Sequence, residues 1–299
     1  MLSWRGMPGK LPPRLGIVIL IGVATAFASN HLAARIAFDH GASVGAAVVI
    51  RASCTALFLL VLLKFINLRF SLPAGLRGWA LLAGVLIAVQ SYCLYSAVAI
   101  IPPALALLVF QTSPMLYVLL TWAMGKQPPR PGALPAMVLA LVGLALALDI
   151  RLDAFSERWS AIGAGATWAF ASGASMALVY YINAHALAPV DGRVRTLAMT
   201  AVTALIVFAG AGAGGALHLP RDGAGYAGLA MLTVFYCVAM ISLFGVLPRV
   251  PPASTAALNF EPIALLGLTW LFLDQTVTPL QIVGAFITAG AIAWLGVRK

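Results

Sequence analysis

Long apolar segments alternate with short polar ones along almost the whole chain. An α-helix needs about 20 predominantly apolar residues to cross a bilayer, and ten segments of the chain reach or approach this length. The predicted spans are residues 15–38, 43–65, 79–101, 102–124, 132–150, 160–182, 195–217, 226–247, 252–273 and 279–297. Because the connections are short, consecutive spans are predicted to be antiparallel neighbours, with no room for a soluble domain.

The composition supports a membrane protein. Of the 299 residues, 62% are hydrophobic and only 9% are charged, whereas about 25% are charged in a typical soluble protein. The chain is therefore predicted to be an all-α integral membrane protein that contacts the lipid bilayer. The formal net charge of +10 could favour a nucleic-acid partner. However, the basic residues lie between apolar segments and form no patch with interleaved aromatic residues, so no such partner is predicted.

Basic residues are distributed unevenly between the two sides of the predicted membrane domain. If the N-terminus is cytoplasmic, thirteen Lys and Arg residues fall on the cytoplasmic side, and three, Arg151, Arg158 and Arg221, fall on the other. Cytoplasmic loops of membrane proteins carry such an excess of positive charge. Both termini are therefore predicted to be cytoplasmic.

Short sequence matches recur in the same order in the two halves of the chain. The matched segments are Ala26–Ser29 with Ala169–Ser172, Tyr92–Cys93 with Tyr236–Cys237, Pro102–Ala104 with Pro251–Ala253, and Pro114 with Pro262. Their common separation of about 145 residues predicts two five-helix repeats, residues 1–150 and 151–299. Because five is odd, the second repeat enters the membrane from the opposite side. Ten transmembrane helices in two inverted repeats, with a site near the midplane, are typical of secondary transporters.

Glu261 is the one acidic residue in the middle of a predicted span. It lies about nine residues into its span, which at about 1.5 Å per residue places it roughly 14 Å from the start, near the midplane. A carboxylate there is costly, so an acid inside a membrane domain is a functional-site hypothesis by default. Pro262 follows and cannot donate a hydrogen bond to the carbonyl of Leu258. The alternative is that Glu261 is protonated and holds neighbouring helices together by a hydrogen bond.

The segment Phe110–Pro114 is a weaker copy of this arrangement in the first half. The matched prolines place Ser113 opposite Glu261 in the alignment of the two halves. The polar cluster predicted to bind substrate at the pseudo-twofold axis consists of Glu261, Asn259, Gln111, Thr112 and Ser113, with helix breaks at Pro114 and Pro262.

Arg51 lies about eight residues from the predicted outer end of the second span. One interpretation is that its side chain extends to the outer interface or pairs with Asp39 or Asp274. The other is that it is a charge partner for a substrate carboxylate or for Glu261. Arg35 stands four residues before Asp39, which is the spacing of a helical ion pair, so an interfacial pair is predicted there.

Further polar and aromatic side chains lie inside the predicted spans. The candidates for lining a cavity, and hence for binding substrate, are Asn30, His31, Gln90, Tyr92, Tyr95, Trp168 and Tyr236. For His31, a hydrogen-bonded packing role is the alternative to a proton relay. Tyr180 and Tyr181 lie near the inner end of their span and are interpreted as interfacial aromatics.

Catalytic constellations are missing from the sequence. It contains no His/Asp cluster with metal-ligand spacing, no nucleophile elbow and no glycine-rich phosphate loop placed after a strand. No metal and no cofactor are therefore predicted, and a membrane-embedded enzyme is a poor second hypothesis to a transporter.

Several motifs together indicate a family. They are Arg249–Ala253, Leu258–Pro262, Leu273–Asp274, Thr278–Pro279, Gln281, Gly284 and Gly290 in the second half, and more weakly Ala26–Asn30 and Ser113–Pro114 in the first. On these motifs the two halves resemble a pair of EamA domains of the drug/metabolite transporter superfamily. Two departures are Leu273–Asp274 and Gly125–Lys126, where that family more usually has a glycine followed by a glutamate.

The resemblance implies a carrier of the bacterial inner membrane that exports amino acids or related small metabolites by alternating access. The first, third, fourth, sixth, eighth and ninth spans would then line a central cavity. A multidrug exporter of lipophilic cations is the alternative, because Glu261 beside Phe260 could hold such a cation. A carrier of phosphorylated sugars is disfavoured, since it needs several midplane Lys or Arg residues and only Arg51 qualifies. The sequence leaves open the exact substrate, the coupling ion and the oligomeric state.

Overall fold

The computed structural model describes residues 11–125, 132–147, 157–246, 257–258, 260–273 and 278–297. The regular secondary structure within these ranges is helical. The α-helices are α1 Pro13–Asp39, α2 Val44–Phe65, α3 Arg77–Ile100, α4 Pro103–Phe110, α5 Ser113–Ala123, α6 Ala133–Ala147, α7 Glu157–His185, α8 Gly192–Ala213, α9 Gly223–Val246, α10 Glu261–Leu273 and α11 Pro279–Val297. A short 3-10 helix at Ala74–Leu76 leads directly into α3.

Seven helical stretches in the described ranges are long and apolar enough to cross a membrane, and α4 with α5 counts as one of them. Three shorter apolar helices, Pro135–Ala147, Glu261–Leu273 and Pro279–Ala291, coincide with the fifth, ninth and tenth predicted spans. Each predicted span therefore contains helix, which supports a multi-pass, all-α membrane protein. The count of ten crossings and the cytoplasmic placement of both termini stay predictions.

Charged side chains fix the helix ends around the connection from α7 to α8. Asp191 precedes α8, and its carboxylate accepts a hydrogen bond from the amide of Arg193 at 2.8 Å. At the end of α7, the guanidinium of Arg195 donates to the carbonyl oxygens of Asn183 at 3.0 Å and Leu187 at 3.1 Å. These contacts satisfy backbone groups that a helix end leaves without an intrahelical partner.

The helices pack in pairs that follow the predicted internal repeat. The most extensive contacts join α1 to α9, α3 to α7 and α6 to α11, and α2 packs on α8. When each helix is exchanged for its counterpart in the other half, the α1–α9 pair becomes the α7–α3 pair. The α2–α8 and α6–α11 pairs map onto themselves. Two repeats related by a pseudo-twofold axis would give this pattern; the division into residues 1–150 and 151–299 stays a prediction.

Small residues allow the closest contacts between helices. A Cβ atom on Gly284 of α11 would lie 2.5 Å from the carbonyl oxygen of Gly143 in α6. A Cβ atom on Gly228 of α9 would lie 2.9 Å from the carbonyl oxygen of Ala33 in α1. Glycine at these positions therefore lets two backbones meet, as small residues do at helix interfaces in membranes.

Two loops that the charge pattern places on the outer side lie against each other. His40 follows α1, and its Nδ1 atom lies 2.7 Å from the Oδ2 atom of Asp222, which precedes α9. The amide of Arg221 donates to the carbonyl oxygen of His40 at 3.0 Å, and the amide of Ser43 donates to that of His218 at 2.9 Å. This contact agrees with the placement of both loops on one side of the membrane.

Candidate functional site

Two helices begin with the same local arrangement. After α4 ends at Phe110, α5 begins at Ser113 and has Pro114 as its second residue. Likewise, α10 begins at Glu261 and has Pro262 as its second residue. Proline is tolerated in the first helical turn because the amide it lacks would have no intrahelical partner there. Both prolines predicted to break helices thus stand at helix starts, and Ser113 and Glu261 occupy equivalent positions.

Gln111 and Thr112 form the turn between α4 and α5. Gln111 is half-buried, whereas the side chains of Thr112 and Ser113 are buried. Neither hydroxyl has a hydrogen-bond partner among the described residues. Gly173 of α7 lies against the same turn, and a Cβ atom there would be 3.1 Å from the Thr112 hydroxyl oxygen. The turn therefore contains two buried hydroxyls that are available to a further polar partner.

Glu261 faces His31 of α1. The Nε2 atom of His31 lies 3.4 Å from the Oε1 atom of Glu261. The exposed fraction is 8% for the His31 side chain and 19% for that of Glu261. The contact joins the two predicted repeats in a region that is largely withdrawn from solvent.

Tyr180 of α7 reaches the same region, although the sequence analysis interpreted it as an interfacial aromatic. Its hydroxyl lies beside Ser113 and interacts electrostatically with Glu261. The Ser113 hydroxyl nevertheless lacks a hydrogen bond of proper geometry. The ring of Tyr180 packs edge-on to that of Tyr117, with 6.0 Å between the centroids. Tyr180 is therefore a candidate for the site that sequence reasoning missed.

Asn30 and Tyr95 form a fully buried hydrogen-bonded group next to His31. The Asn30 amide nitrogen donates to the carbonyl oxygen of Leu232 in α9 at 2.6 Å, and the Tyr95 hydroxyl donates to the Asn30 amide oxygen at 3.2 Å. The rings of Tyr95 and His31 meet edge to face, with 6.0 Å between the centroids. Both ends of the Asn30 side chain are thus occupied by the protein itself.

Arg51 is buried within the helices and does not extend to their outer end. Its exposed fraction is 8%, and its Nη2 atom donates to the Ser91 hydroxyl at 2.8 Å. The Cζ atom lies 4.2 Å from the ring centroid of Tyr236 and 5.0 Å from that of Tyr95. The interpretation that Arg51 extends to the outer interface is therefore wrong.

The acids considered as partners for Arg51 are placed differently. Asp39 is paired with Arg35, whose Nε atom donates to it at 2.9 Å, so the predicted ion pair at the end of α1 is confirmed. Asp274 lies outside the described residues, as does Asn259 of the predicted polar cluster.

Gln90 belongs to a hydrogen-bonded group that joins α3 to α7. The side-chain Nε2 atom of Gln90 donates to the Ser172 hydroxyl at 3.2 Å. That hydroxyl in turn donates to the main-chain carbonyl oxygen of Gln90 at 2.9 Å. The Ser91 hydroxyl donates to the Gln90 amide oxygen at 3.1 Å, which connects this group to Arg51. Ser91 and Ser172 were not singled out by the sequence, although Ser172 ends one of the repeated segments.

Tyr92 and Trp168 lie apart from the other candidates. Each is 40% exposed, and Tyr92 shares the exposed face of α3 with Leu82 and Val89. Tyr236 is half-buried, and its ring meets that of Phe27 edge to face at 5.8 Å. The structure therefore brings Tyr236 to the buried polar groups and leaves Tyr92 and Trp168 on exposed helix faces.

Four buried side-chain atoms have no hydrogen-bond partner within the described part of the chain. They are His31 Nδ1, Arg51 Nε, Thr112 Oγ1 and Ser113 Oγ. An unsatisfied buried polar group costs about 1–3 kcal/mol, so native structures keep few of them. All four belong to residues that the sequence singled out, and each is available to a polar molecule that binds among these helices. Among the described residues, no group of three or more His, Cys, Asp or Glu side chains could hold a metal ion.

Comparisons with known proteins agree with this description. Residues 14–148 match the EamA-like transporter family, a segment that covers most of the predicted first repeat. A solved crystal structure, described only as that of a protein, is similar to this chain with a TM-score of 0.62 and 16% identity, over 94% of this chain and 96% of that one. At that identity the likeness shows the fold alone. No curated protein matches the chain. The comparisons therefore support an EamA-like transporter domain in a multi-pass membrane protein.

Proposed function

We propose that the protein is a secondary transporter that exports amino acids or related small metabolites across the bacterial inner membrane by alternating access. The match of residues 14–148 to the EamA-like transporter family favours transport over catalysis. The symmetrical packing of helix pairs supports two inverted repeats, residues 1–150 and 151–299, around a shared site.

The observation that carries the proposal is that four buried polar side-chain atoms have no hydrogen-bond partner among the described residues. They belong to His31, Arg51, Thr112 and Ser113. A purely structural polar cluster would have its hydrogen bonds completed by the protein, as those of Asn30 are. Groups left without partners inside a membrane domain instead suit a molecule that arrives, binds and leaves. The side chain of Glu261 is 19% exposed, so such a molecule can reach its carboxylate.

A zwitterionic substrate fits the chemistry of these groups. The Glu261 carboxylate can accept hydrogen bonds from an ammonium group, and His31 lies 3.4 Å from one of its oxygen atoms. The hydroxyls of Thr112 and Ser113 can donate to oxygen atoms of the substrate. Gln111, Asn259 and Tyr180 are proposed as neighbouring contacts.

Export of lipophilic cations is the second candidate. The observation that favours it is that Phe260, which is 37% exposed, precedes Glu261 in the chain and that Tyr180 interacts electrostatically with Glu261. An acid flanked by aromatic rings can hold an organic cation. In this candidate function the substrate would need no anionic group.

Uptake into proteoliposomes that contain the purified full-length protein tests the two functions. The labelled panel contains aromatic and aliphatic amino acids, Thr, Met and one lipophilic cation, each with and without an imposed pH gradient. Saturable amino-acid uptake is the expected result, and its response to the gradient tells whether transport is coupled to protons. Uptake of the cation alone would replace the amino-acid proposal with the second candidate.

Replacement of the central acid tests the site. Glu261→Gln is expected to lower uptake by about tenfold or more, because a charged hydrogen bond to the substrate is lost. Asp39→Asn is the matched control, since Asp39 pairs with Arg35 at the end of α1. Folding of both variants is checked by size-exclusion chromatography and thermal melting. Unchanged uptake by folded Glu261→Gln protein would assign Glu261 a structural role.

A further inference from the structure

Arg51 is a buried cation for which the described part of the chain offers no acidic partner within ion-pair distance. Its one polar contact there is the hydrogen bond to Ser91, and its Nε atom is occluded without a partner. A guanidinium has five N–H donors and stays protonated in proteins. Most of its hydrogen-bonding capacity is therefore left for a partner other than Ser91.

Two aromatic rings lie against the guanidinium of Arg51. The rings of Tyr236 and Tyr95 lie 4.2 Å and 5.0 Å from its Cζ atom, which are cation–π distances. Such contacts stabilise the positive charge of the guanidinium without conventional hydrogen bonds to its N–H groups. A buried guanidinium with N–H donors left over is suited to a carboxylate, which can accept two hydrogen bonds from it.

Glu261 does not serve as the counter-ion of Arg51. Its carboxylate lies beside His31, whose ring meets one side of Tyr95 edge to face, whereas Arg51 lies over the face of the same tyrosine. The site thus has an acidic end at Glu261 and a cationic end at Arg51, with aromatic rings between them. A substrate with one cationic and one anionic group would complete both ends.

We propose that Arg51 is the anion-binding group of the substrate site and that it selects substrates that carry a carboxylate. This inference rests on the proposed transport function. It adds that Arg51 makes the transporter prefer a zwitterionic substrate to one that carries only a positive charge. The hydroxyls of Thr112 and Ser113 then serve the neutral polar atoms of the substrate. Arg51 therefore opposes the entry of lipophilic cations by charge repulsion.

Competition between an acid and its amide tests this inference. Uptake of the best labelled amino acid into proteoliposomes is inhibited with that amino acid and, separately, with its primary amide, which keeps the ammonium and loses the carboxylate charge. In wild-type protein the amide is expected to compete about tenfold to hundredfold more weakly. In Arg51→Gln protein this ratio is expected to fall to about one, because affinity for the acid falls and affinity for the amide does not.

Two further variants make the test specific. Arg35→Gln is the matched control, because Arg35 already pairs with Asp39, and it is expected to keep the wild-type ratio. Arg51→Lys keeps the charge and loses the planar fork, so it is expected to give an intermediate ratio and serves if Arg51→Gln does not fold. An unchanged ratio in folded Arg51→Gln or Arg51→Lys protein would overturn the inference while leaving amino-acid transport in place.

A binding measurement separates the failure of this inference from the failure of the proposed function. The melting temperature of the purified protein is measured with 3-phenylpropionate and with 3-phenylpropionamide. Stabilisation by the acid alone, lost in Arg51→Gln protein, would support the anion site even if no amino acid of the panel is transported. Equal stabilisation by acid and amide, or none by the acid, would overturn it.

Discussion

The side-chain amide of Asn30 donates a 2.6 Å hydrogen bond to the main-chain carbonyl of Leu232 and so joins α1 to α9. The carbonyl of Leu232 also lies in a helix, so this bond is an addition to the backbone pattern and not a replacement for it. The Tyr95 hydroxyl completes the other end of the Asn30 amide from α3. Three helices are thus held by one buried side chain next to the candidate substrate site.

Asn30→Ala is expected to lower the free energy of unfolding by about 1–2 kcal/mol, because the Tyr95 hydroxyl loses its buried partner and α1 loses its bond to α9. Tyr95→Phe removes only one of these bonds and is expected to cost about half as much. Thermal melting of the purified variants in detergent measures both effects. An Asn30→Ala protein as stable as wild type would show that these bonds contribute no net stability.

Gly284→Ala is expected to disrupt the packing of α11 on α6, because the added Cβ atom would lie 2.5 Å from the carbonyl oxygen of Gly143. Backbone atoms cannot move aside as a flexible side chain can, so we expect the free energy of unfolding to fall by about 1–3 kcal/mol. Gly290→Ala on the same helix is the control, since a Cβ atom there meets nothing within 4 Å. The Gly284→Ala protein should therefore melt at a lower temperature than the Gly290→Ala protein. Equal melting temperatures would contradict the close contact between Gly284 and Gly143.

Tyr180→Phe is expected to raise the KM for substrate about three- to tenfold, because the hydroxyl beside Ser113, which interacts electrostatically with Glu261, is lost while the ring remains. The adjacent Tyr181→Phe is the control, because Tyr181 stacks on His185 with 4.4 Å between ring centroids. Initial uptake rates over a range of substrate concentrations provide the measurement. If both variants behave like wild type, Tyr180 makes no contact that substrate binding uses.

Asp191 is expected to stabilise the start of α8 in a pH-dependent way. A hydrogen bond from the Arg193 side chain lowers the pKa of Asp191 below its ordinary value of 3.8. Because the pKa is lower in the folded state, the stabilisation is present above about pH 4 and is lost as the pH falls through the lowered pKa. Asp191→Ala should therefore cost about 1 kcal/mol at pH 7 and at pH 5, and less near pH 3.

The control for this prediction is Asp191→Asn, which keeps a side chain able to cap the helix and should cost less than Asp191→Ala. Melting curves of the three proteins across this pH range decide the matter. A difference between wild type and Asp191→Ala that already shrinks between pH 8 and pH 6 would assign the pH dependence to another group.

The equivalence of Ser113 and Glu261 could be predicted because it depends on chain order alone. Matched prolines fix the register between the two halves, and a proline constrains its local helix start wherever the helix packs. The helical segments could likewise be predicted, because their length and apolar character come directly from the sequence.

The orientation of individual side chains could not be predicted in the same way. Tyr92 and Tyr95 lie three residues apart on α3, yet one is 40% exposed and the other 1%. A membrane helix that is apolar on every side has no polar face to show which way it turns. The same limit led Tyr180 to be interpreted as an interfacial aromatic.

The placement of Arg51 depends on three other residues that the sequence does not bring together. Ser91 and Tyr95 come from α3, and Tyr236 comes from α9. A long cationic side chain can extend to an interface or fold inward, and the choice is made by the neighbours that accept it. Only the packed structure shows that aromatic faces and a hydroxyl receive it.

The contact between α1 and α9 has a mechanical consequence. The Asn30–Leu232 bond, the close approach of Gly228 to α1 and the His40–Asp222 pair fasten the two helices at successive heights. Because of these contacts, we expect α1 and α9 to tilt as one rigid unit, with the two ends of the pair moving in opposite directions. His31 of α1 contacts Glu261 at the start of α10. We therefore expect a small displacement of Glu261 to produce larger, opposite displacements of the α1–α9 pair at the two membrane surfaces.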